Sequence, residues 1–520
     1  MNIPLLIQTI RHLRPTQVTY QLKQRLWHTK LREEVPPAMS RIALMQTQPI
    51  AKPRCYVGEG RFTFLNITAN FSGWNMEDHG PLWAYNLNYM DWLEQEDITK
   101  EDCLKWIDKF IDDLPANRNG QAPYPTALRI MNWAKFFSKH PECLNQRHCE
   151  SMYSQAIFLR RRLEYHLLGN HLLEDAYALF IASIFFNDSR LFNKAKRLLA
   201  GQLEEQILPD GAHYEQSPMY HCIMLDRLLD CINFSTRNIL FKGQEAYTDM
   251  LKEKATKMLG HLQSIIYSDG TIPLFNDAAR GIAPPPKKLF DYARRLRLDW
   301  QAIPLGECGY RKFDANGLEI IVDIGNIAAS YQPGHSHADT FSYELRIKGC
   351  PVIVDTGIST YNKDSRRQHE RSSAAHNTVS VAGKDSSTVW GGFRIGKRAK
   401  VTVEKDRPRN ILVYHNGFGP RCIHQRHFVF NDHDIIIEDN IKGKVADAVS
   451  YLHFSPQTDV SIVSEADGLI KAGNVVIEAE GFSGIKIITD FVSSEYNKLQ
   501  PCQVLEFSFQ RQLKYSIKAT

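Results

Sequence analysis

Apolar side chains recur at helical spacing through the first half of the chain and alternate with polar ones through the second. Residues 98–114, 124–139, 150–168, 171–187, 190–207, 216–235 and 247–267 each place apolar positions three and four apart, which predicts seven helices. In the sixth, Ile223, Met224, Leu228, Cys231 and Ile232 share one face. Turn signals separate the segments: Asn119-Gly120, Gly169-Asn170, Pro209-Asp210-Gly211 and Asp269-Gly270. A proline cluster at Ala283–Pro286 and one more helix, roughly 287–297, close this half. From Gly309 onward the period becomes two. Twelve short runs, from LEIIVDIG through PVIVDTG and NTVSVAG to VLEFSFQ, predict an antiparallel β-sandwich. The reading is α+β and multidomain: an N-terminal extension over 1–80, a helical domain over 81–300 and a sheet domain over 301–520. Serial helical hairpins suit the helical half, and a cleft between two domains suits a ligand.

A chain of 520 residues exceeds one ordinary core, which agrees with more than one domain. At 43% hydrophobic and 23% charged it reads as globular, and no apolar stretch approaches the ~20 residues of a bilayer span. Net charge is +5, a mild bias toward anionic ligands, and no basic block suggests nucleic-acid binding. The ten cysteines form no CxxC pair, which favours a reducing compartment. MNIPLLIQTIRHLRP lacks the basic n-region and cleavage site of a signal peptide, so the expected location is cytoplasmic, with the periplasm as the alternative.

The chemistry-bearing residues concentrate in YQPGHSHADTFSYELRIKGCPVIVDTG, residues 331–357. Read as a strand, this places His335 and His337 on one face. Asp355 and His376 follow on expected neighbouring strands, and two imidazoles with a carboxylate suit zinc, leaving His335 free for chemistry. Asp355 capping a turn and His376 packing in the core is the structural alternative. On the helical side, Asn170 opens one helix as a candidate N-cap, while Ser217 and Pro218 read as N-cap and N1 of another. One helix separates the two, so in an up-down array their N-terminal ends share a rim. Asn170, His171, Tyr214, Glu215 and Tyr220 are therefore expected together. Trp83, Tyr89, Tyr124, Arg129 and Trp133 fall near helix ends, and Trp390 and Arg394 flank a glycine-rich loop. Aromatic faces stack on sugars and arginine forks hold carboxylates. Arg129, Trp133, Trp390 and Arg394, with Tyr214 and Glu215, are the substrate-binding candidates.

GNHLLED, SPMYH, PLFNDAA, GHSHADTFSYEL, VIVDTG and RSSAAHNTV, in this order over roughly 80–460, resemble the heparinase II/III-like polysaccharide lyases. The N-terminal RHLRPTQVTYQLKQRLW resembles members associated with bacterial capsule or exopolysaccharide production, although many secreted members carry an export signal. The resemblance implies an incomplete (α/α) toroid followed by the β-sandwich. It implies that Asn170 binds a uronate carboxylate with His171 assisting, that Tyr220 is the catalytic tyrosine, and that His335 is catalytic or neutralises the carboxylate. It makes His337, Asp355 and His376 ligands of a structural zinc. Tyr214 is a rival for the tyrosine role, and Glu215 and Arg371 support the site from behind.

The implied reaction is β-elimination on a uronic-acid-containing acidic polysaccharide. The C5 proton is weakly acidic, so the carboxylate must be neutralised by donors that tighten as charge develops. A tyrosine, with an ordinary pKa of about 10, needs nearby positive charge to act as base, or it serves as acid on the leaving oxygen. A uronyl C5-epimerase and a non-catalytic polysaccharide-binding factor are the competing expectations.

Overall fold

The computed structural model describes residues 3–26, 29–37, 42–443 and 447–520. Trp27, the last residue of the N-terminal motif, lies outside them. Two short helices, α1 (Ile3–Ile10) and α2 (Pro15–Leu26), come first. A small antiparallel sheet follows, made of β1 (Tyr56–Gly58), β2 (Arg61–Phe64) and β3 (Ile67–Asn70). None of these five elements is among the periodic segments read from the sequence; the strands, of three or four residues, are too short to show a period, while α1 and α2 show one that was not assigned.

The helical domain is a double layer. Its helices are α3 (Pro81–Tyr89), α4 (Lys100–Asp113), α5 (Pro123–Lys139), α6 (Gln146–Arg161), α7 (Gly169–Phe185), α8 (Ser189–Gln206), α9 (Pro218–Arg237), α10 (Gln244–Ile265) and α11 (Pro286–Arg295). Helices α3, α5, α7, α9 and α11 pack side by side as an inner row, with α6, α8 and α10 against it from outside. Sequence explains the layering. Every residue of α7 except His171 is buried, whereas α8 buries only Leu191, Phe192, Ala195, Leu199, Leu203 and Gln206, at helical spacing. This is the incomplete (α/α) toroid, and its inner row aims successive N-terminal ends at one rim.

Strands take over at β4 (Tyr310–Ala315), β5 (Leu318–Asp323), β6 (Tyr343–Ile347) and β7 (Cys350–Ile353), paired in chain order. Helix α12 (Ser365–Glu370) interrupts them before β8 (Val379–Val381), which borders a four-stranded sheet completed by Ala448–His453, Lys498–Phe509 and Gly484–Glu495. The largest sheet has eight antiparallel strands, in spatial order Val401–Arg407, Asn410–His415, Cys422–Phe430, Asp434–Gly443, Gln512–Ala519, Val475–Glu480, Leu469–Ala472 and Val460–Ser464. Alternation reads well along this sheet, where Ile435, Ile437 and Ile441 point inward and their neighbours outward.

A buried ion pair ties this sheet to the loops beside it. Arg426 donates from Nε and Nη2 to both oxygens of Asp439, at 2.7 and 2.8 Å. Its Nη1 reaches the carbonyls of Phe341 and Asn377. Burial alone would raise the Asp439 pKa, but the guanidinium outweighs it and holds the carboxyl well below the usual range. The stability so gained is present above the unfolded carboxyl pKa of about 4 and is lost as pH falls below it. Asp439→Ala is expected to cost about 3–5 kcal/mol, because it leaves a buried guanidinium unpaired. Denaturant titration of wild type and variant at pH 7 and pH 4 checks this, and the gap between them should narrow at the lower pH.

Candidate active site

The predicted strand at 335–339 is a loop. Pro333, Gly334 and a left-handed Phe341 (φ 69°) keep it out of any ladder. His337, Asp355 and His376 lie in loops as well, just outside β7 and β8, rather than on adjacent strands. What orders the segment is hydrogen bonding to the helical domain. Asn276 Oδ1 accepts the His337 N–H at 3.0 Å, and the Asp277 N–H donates to the His335 carbonyl at 3.0 Å.

Asp277, in PLFNDAA between α10 and α11, is the residue that the sequence reading passed over. Its carboxylate accepts from His335 Nδ1 at 2.9 Å, from His337 Nε2 at 2.8 Å, and from Arg367 Nη1 and Nη2 at 2.5 and 2.7 Å. All four groups are essentially buried. Burial would raise its pKa, yet Arg367 and the two imidazoles hold it well below the ordinary carboxylate value. The motif that contains it was visible, but its partners lie 58 to 90 positions away.

The shared rim is present. Asn170 is not an N-cap: it sits one residue inside α7, where its N–H donates to Glu215 Oε1 at 2.7 Å. Its amide Nδ2 lies 3.0 Å from Glu215 Oε2 and 3.3 Å from His335 Nε2. With Nδ1–H committed to Asp277, His335 turns its Nε2 toward that amide. Ser217 caps α9 by accepting the Tyr220 N–H, with Pro218 at the first helical position. The Tyr220 ring lies against His335, centroids 3.9 Å apart, and its hydroxyl is 3.3 Å from that of Tyr361. Three left-handed non-glycine residues, Leu168, Gln216 and Asn276, flank these positions, so the backbone is held in costly conformations where the groups meet.

Asn170, His171, Tyr220, His335 and Arg394 border one cleft between the domains, of about 930 Å³. His171 is partly exposed there. Burial would lower its pKa, but Glu164, 3.0 Å from Nδ1, outweighs this and raises it, which favours the protonated ring at the cleft. Tyr220 departs from expectation. Burial pushes its phenol well above the ordinary value, and Asp277 and Glu215 add to this; the Tyr361 hydrogen bond and the positive charge of Arg367 act the other way but do not offset it.

The other candidates have different tasks. Arg129 is fully buried and holds the carbonyls of Gly120 and Asn88, at 2.7 and 3.0 Å. Trp133 is core, its indole N–H on Met90 Sδ. Tyr214 is buried beside Tyr331 and does not line the cleft, whereas Tyr220 does, together with Tyr361, whose hydroxyl is also 3.4 Å from His335 Nδ1. Glu215 stands behind Asn170 and His335 rather than in the cleft. Trp390 donates to Thr9 of α1 and stacks on Arg394, also off the cleft wall. Buried Arg371 holds the Ser336 carbonyl. Arg227, on the cleft floor with Asp226 and Glu174, was not anticipated.

The metal candidates form a relay instead of converging. His337 Nδ1 faces His376 Nε2 at 3.3 Å, and His376 Nδ1 meets Asp355 at 2.8 Å. The outer nitrogen of each imidazole is thus held by a carboxylate, Asp277 or Asp355, as in many carboxylate–histidine–zinc sites. Adjacent nitrogens around tetrahedral zinc, with bonds of ~2.0–2.1 Å, lie roughly 3.3 Å apart, so the inner pair fits. Burial lowers the His337 pKa to about 3, while Asp355 and Asp339 outweigh burial at His376 and raise it to about 9. Among the described residues a different trio, buried Asp210, His261 and Cys308, has its ligand atoms within 4.8 Å of one another.

Two family models match this chain: "Heparinase II/III N-terminus" over residues 126–290 and "Heparinase II/III-like, C-terminal" over 298–520. The chain belongs to the heparinase II/III family. A heparin-sulfate lyase of Pedobacter heparinus is 23% identical over 387 residues, 68% of this chain and 55% of that protein. One from Bacteroides thetaiotaomicron is 22% identical over 303 residues, 50% of this chain and 42% of that one. The alignments thus span about half the length of these curated relatives. Among solved structures, a heparinase III superposes with a TM-score of 0.64 at 14% identity, covering 98% of this chain and 85% of that one. The heparan sulfate lyase HepC of P. heparinus, a mutant form, gives 0.59 at 16%, covering 96% and 87%. These superpositions establish the toroid-plus-sandwich fold.

Gly169 gives a direct test of how tightly this family member holds its rim. Its φ is +61°, and an added Cβ would sit 2.4 Å from Glu215 Oε1. Gly169→Ala is expected to cost about 1–3 kcal/mol and to displace the Asn170 amide. Thermal melting reads the first effect and the turnover assay described below reads the second.

Proposed function

We propose that this chain is a polysaccharide lyase that cleaves a uronic-acid-containing acidic polysaccharide by β-elimination. The observation that carries the reading is the meeting of Asn170, His335 and Tyr220, from two domains, on one cleft wall. The heparin-sulfate lyase relatives support the substrate class. A uronate carboxylate entering the cleft would take the Asn170 amide from Glu215 and meet the His171 ring, whose protonation Glu164 favours; the two together stabilise charge spreading from C5. His335 Nε2, its ring fixed by Asp277, is the group suited to accept the C5 proton. Tyr220, whose burial keeps the phenol protonated, is suited to donate to the departing C4 oxygen. The Tyr220 and His335 rings pack against each other at a 34° tilt, so acid and base sit together on one cleft wall. That favours elimination over C5 epimerisation, which needs groups on opposite faces. Capsule or exopolysaccharide is the polymer class we favour within this reading, on the N-terminal motif.

A zinc ion held by His337 and His376, with Asp355 and Asp277 behind them, would supply structural order to the loop that carries His335. Chelation is expected to lower the melting temperature and release about one equivalent of zinc by elemental analysis; an unchanged melt with no metal released would remove the ion from the account.

A panel of alginate, heparan sulfate, chondroitin sulfate and bacterial capsules, read by ultraviolet absorbance of the unsaturated product, tests the function. Tyr220→Phe should lower kcat by about 10²- to 10⁴-fold with KM within about threefold. Solvent deuterium at C5 of an uncleaved polymer would instead assign the epimerase.

A further inference from the structure

Helices α1 and α2 present their apolar side chains outward. Among the described residues, thirteen large apolar side chains are strongly exposed, and seven of them lie between Ile3 and Val35. On α1 they are Ile3, Ile7 and Ile10, at 61, 62 and 46% exposure; on α2 they are Val18, Leu22 and Leu26, at 42, 54 and 72%. Both sets follow one helical stripe, spaced four and three or four and four. Helix α1 has no buried residue at all. Ile10, Val18 and Leu22 also border the cleft mouth, so the two stripes open on the same side of the molecule.

The helices are nevertheless fixed, and by polar groups. Thr9 Oγ1 accepts the Trp390 indole N–H at 3.2 Å, and Gln17 Nε2 donates to the carbonyls of Leu167 and Tyr331, at 3.3 and 3.1 Å. Arg14 pairs with Glu205 and stacks 3.6 Å above Tyr331. These contacts reach both domains. Leu5, Leu6 and Leu13 are half-buried on the docked side, so the exposed isoleucines, valine and leucines form a second apolar face that nothing in the chain covers among the described residues.

Charge follows the two helices and the few residues after them, up to the acidic pair Glu33 and Glu34. Residues 1–32 contain Arg11, Arg14, Lys23, Arg25, Lys30 and Arg32 and no Asp or Glu, which leaves 57 cations against 58 anions in the remainder. The whole positive balance of the chain therefore sits here. Arg11, Lys23, Arg25, Lys30 and Arg32 are exposed and have no carboxylate partner among the described residues. Burial lowers the pKa of His12 at the cleft edge, and Arg398 and Arg11 lower it further. An exposed apolar patch rimmed by unpaired cations is the signature of a surface that lies in a lipid interface.

We propose that α1 and α2 dock this protein on an anionic lipid bilayer, with the cleft mouth against the headgroups. The apolar stripes enter the acyl boundary and the unpaired cations meet the anionic headgroups. This inference does not depend on the lyase reading.

Sedimentation of the full chain with vesicles tests it, using phosphatidylcholine alone and phosphatidylcholine mixed with phosphatidylglycerol. Wild type should partition onto the anionic vesicles at low salt, weakly onto the neutral ones, and come off as salt is added. The triple substitution Ile3→Asp, Ile7→Asp and Leu26→Asp, which leaves the cleft lining intact, should reduce partition at least about tenfold with an unchanged melt. Should that variant unfold, Lys23→Gln with Arg25→Gln gives an independent arm, expected to lose about fivefold per cation. Equal partition of wild type and both variants, or none at low salt, overturns the proposal. So does a wild-type dimer that ignores vesicles and becomes monomeric in the triple variant, since the face then belongs to a second copy.

Discussion

One buried carboxylate joins the two halves of this molecule. Asp277 belongs to the helical domain, and the three groups it accepts from, His335, His337 and Arg367, belong to the sandwich. Removing Asp277 or Arg367 would leave the other as an uncompensated charge in a buried junction, at a cost of about 3–5 kcal/mol. That penalty is what makes the relative placement of the domains specific. A purely apolar junction could slide, whereas a carboxylate with four defined donors has one position in which all are satisfied.

The site inherits its geometry from this constraint. Asp277 selects the tautomer of His335 and so turns Nε2 toward Asn170. It orients His337 and thereby aims Nδ1 at His376. Glu215 does the corresponding work on the helical rim by holding both the N–H and the amide of Asn170. The local cost appears in the backbone, where Leu168, Gln216 and Asn276 adopt left-handed conformations beside the groups they position. Strain of this kind persists only where surrounding bonds over-determine it, and the Asp277 and Glu215 networks supply those bonds.

Much of the helical domain was legible because its helices are long. Seven of the periodic segments correspond to α4–α10, with ends moved by a few residues, as for 150–168, where the helix stops at Arg161. The strands of the large sheet were legible where one face is core and the other wet, as along Asp434–Gly443. The short pieces escaped: β1–β3 carry too few positions to establish a period, whereas α1, α2 and α3 are long enough for helical turns but were not assigned. The stretch 331–342 was misassigned for another reason. Its alternation mimics a strand, but Asn276, Asp277 and Arg371 hold it as a loop, and all three act from a distance along the chain. Aromatic and arginine candidates fared worst. A buried Arg129 that satisfies carbonyls and an exposed Arg394 that faces the cleft look alike in sequence, because nothing local distinguishes a guanidinium that caps loops from one that meets ligand.

The sequence by itself determined the order of a helical half and a sheet half, the common rim of α7 and α9, and the family motifs, since each depends on residues close together along the chain. Only the tertiary structure decided which carboxylate organises the histidines, that Tyr220 and not Tyr214 reaches the cleft, and that the Tyr220 phenol is held protonated. Those outcomes depend on burial and on pairings across some 45 to 165 positions. A dielectric environment is a property of the packed interior, and no local pattern of residues encodes it.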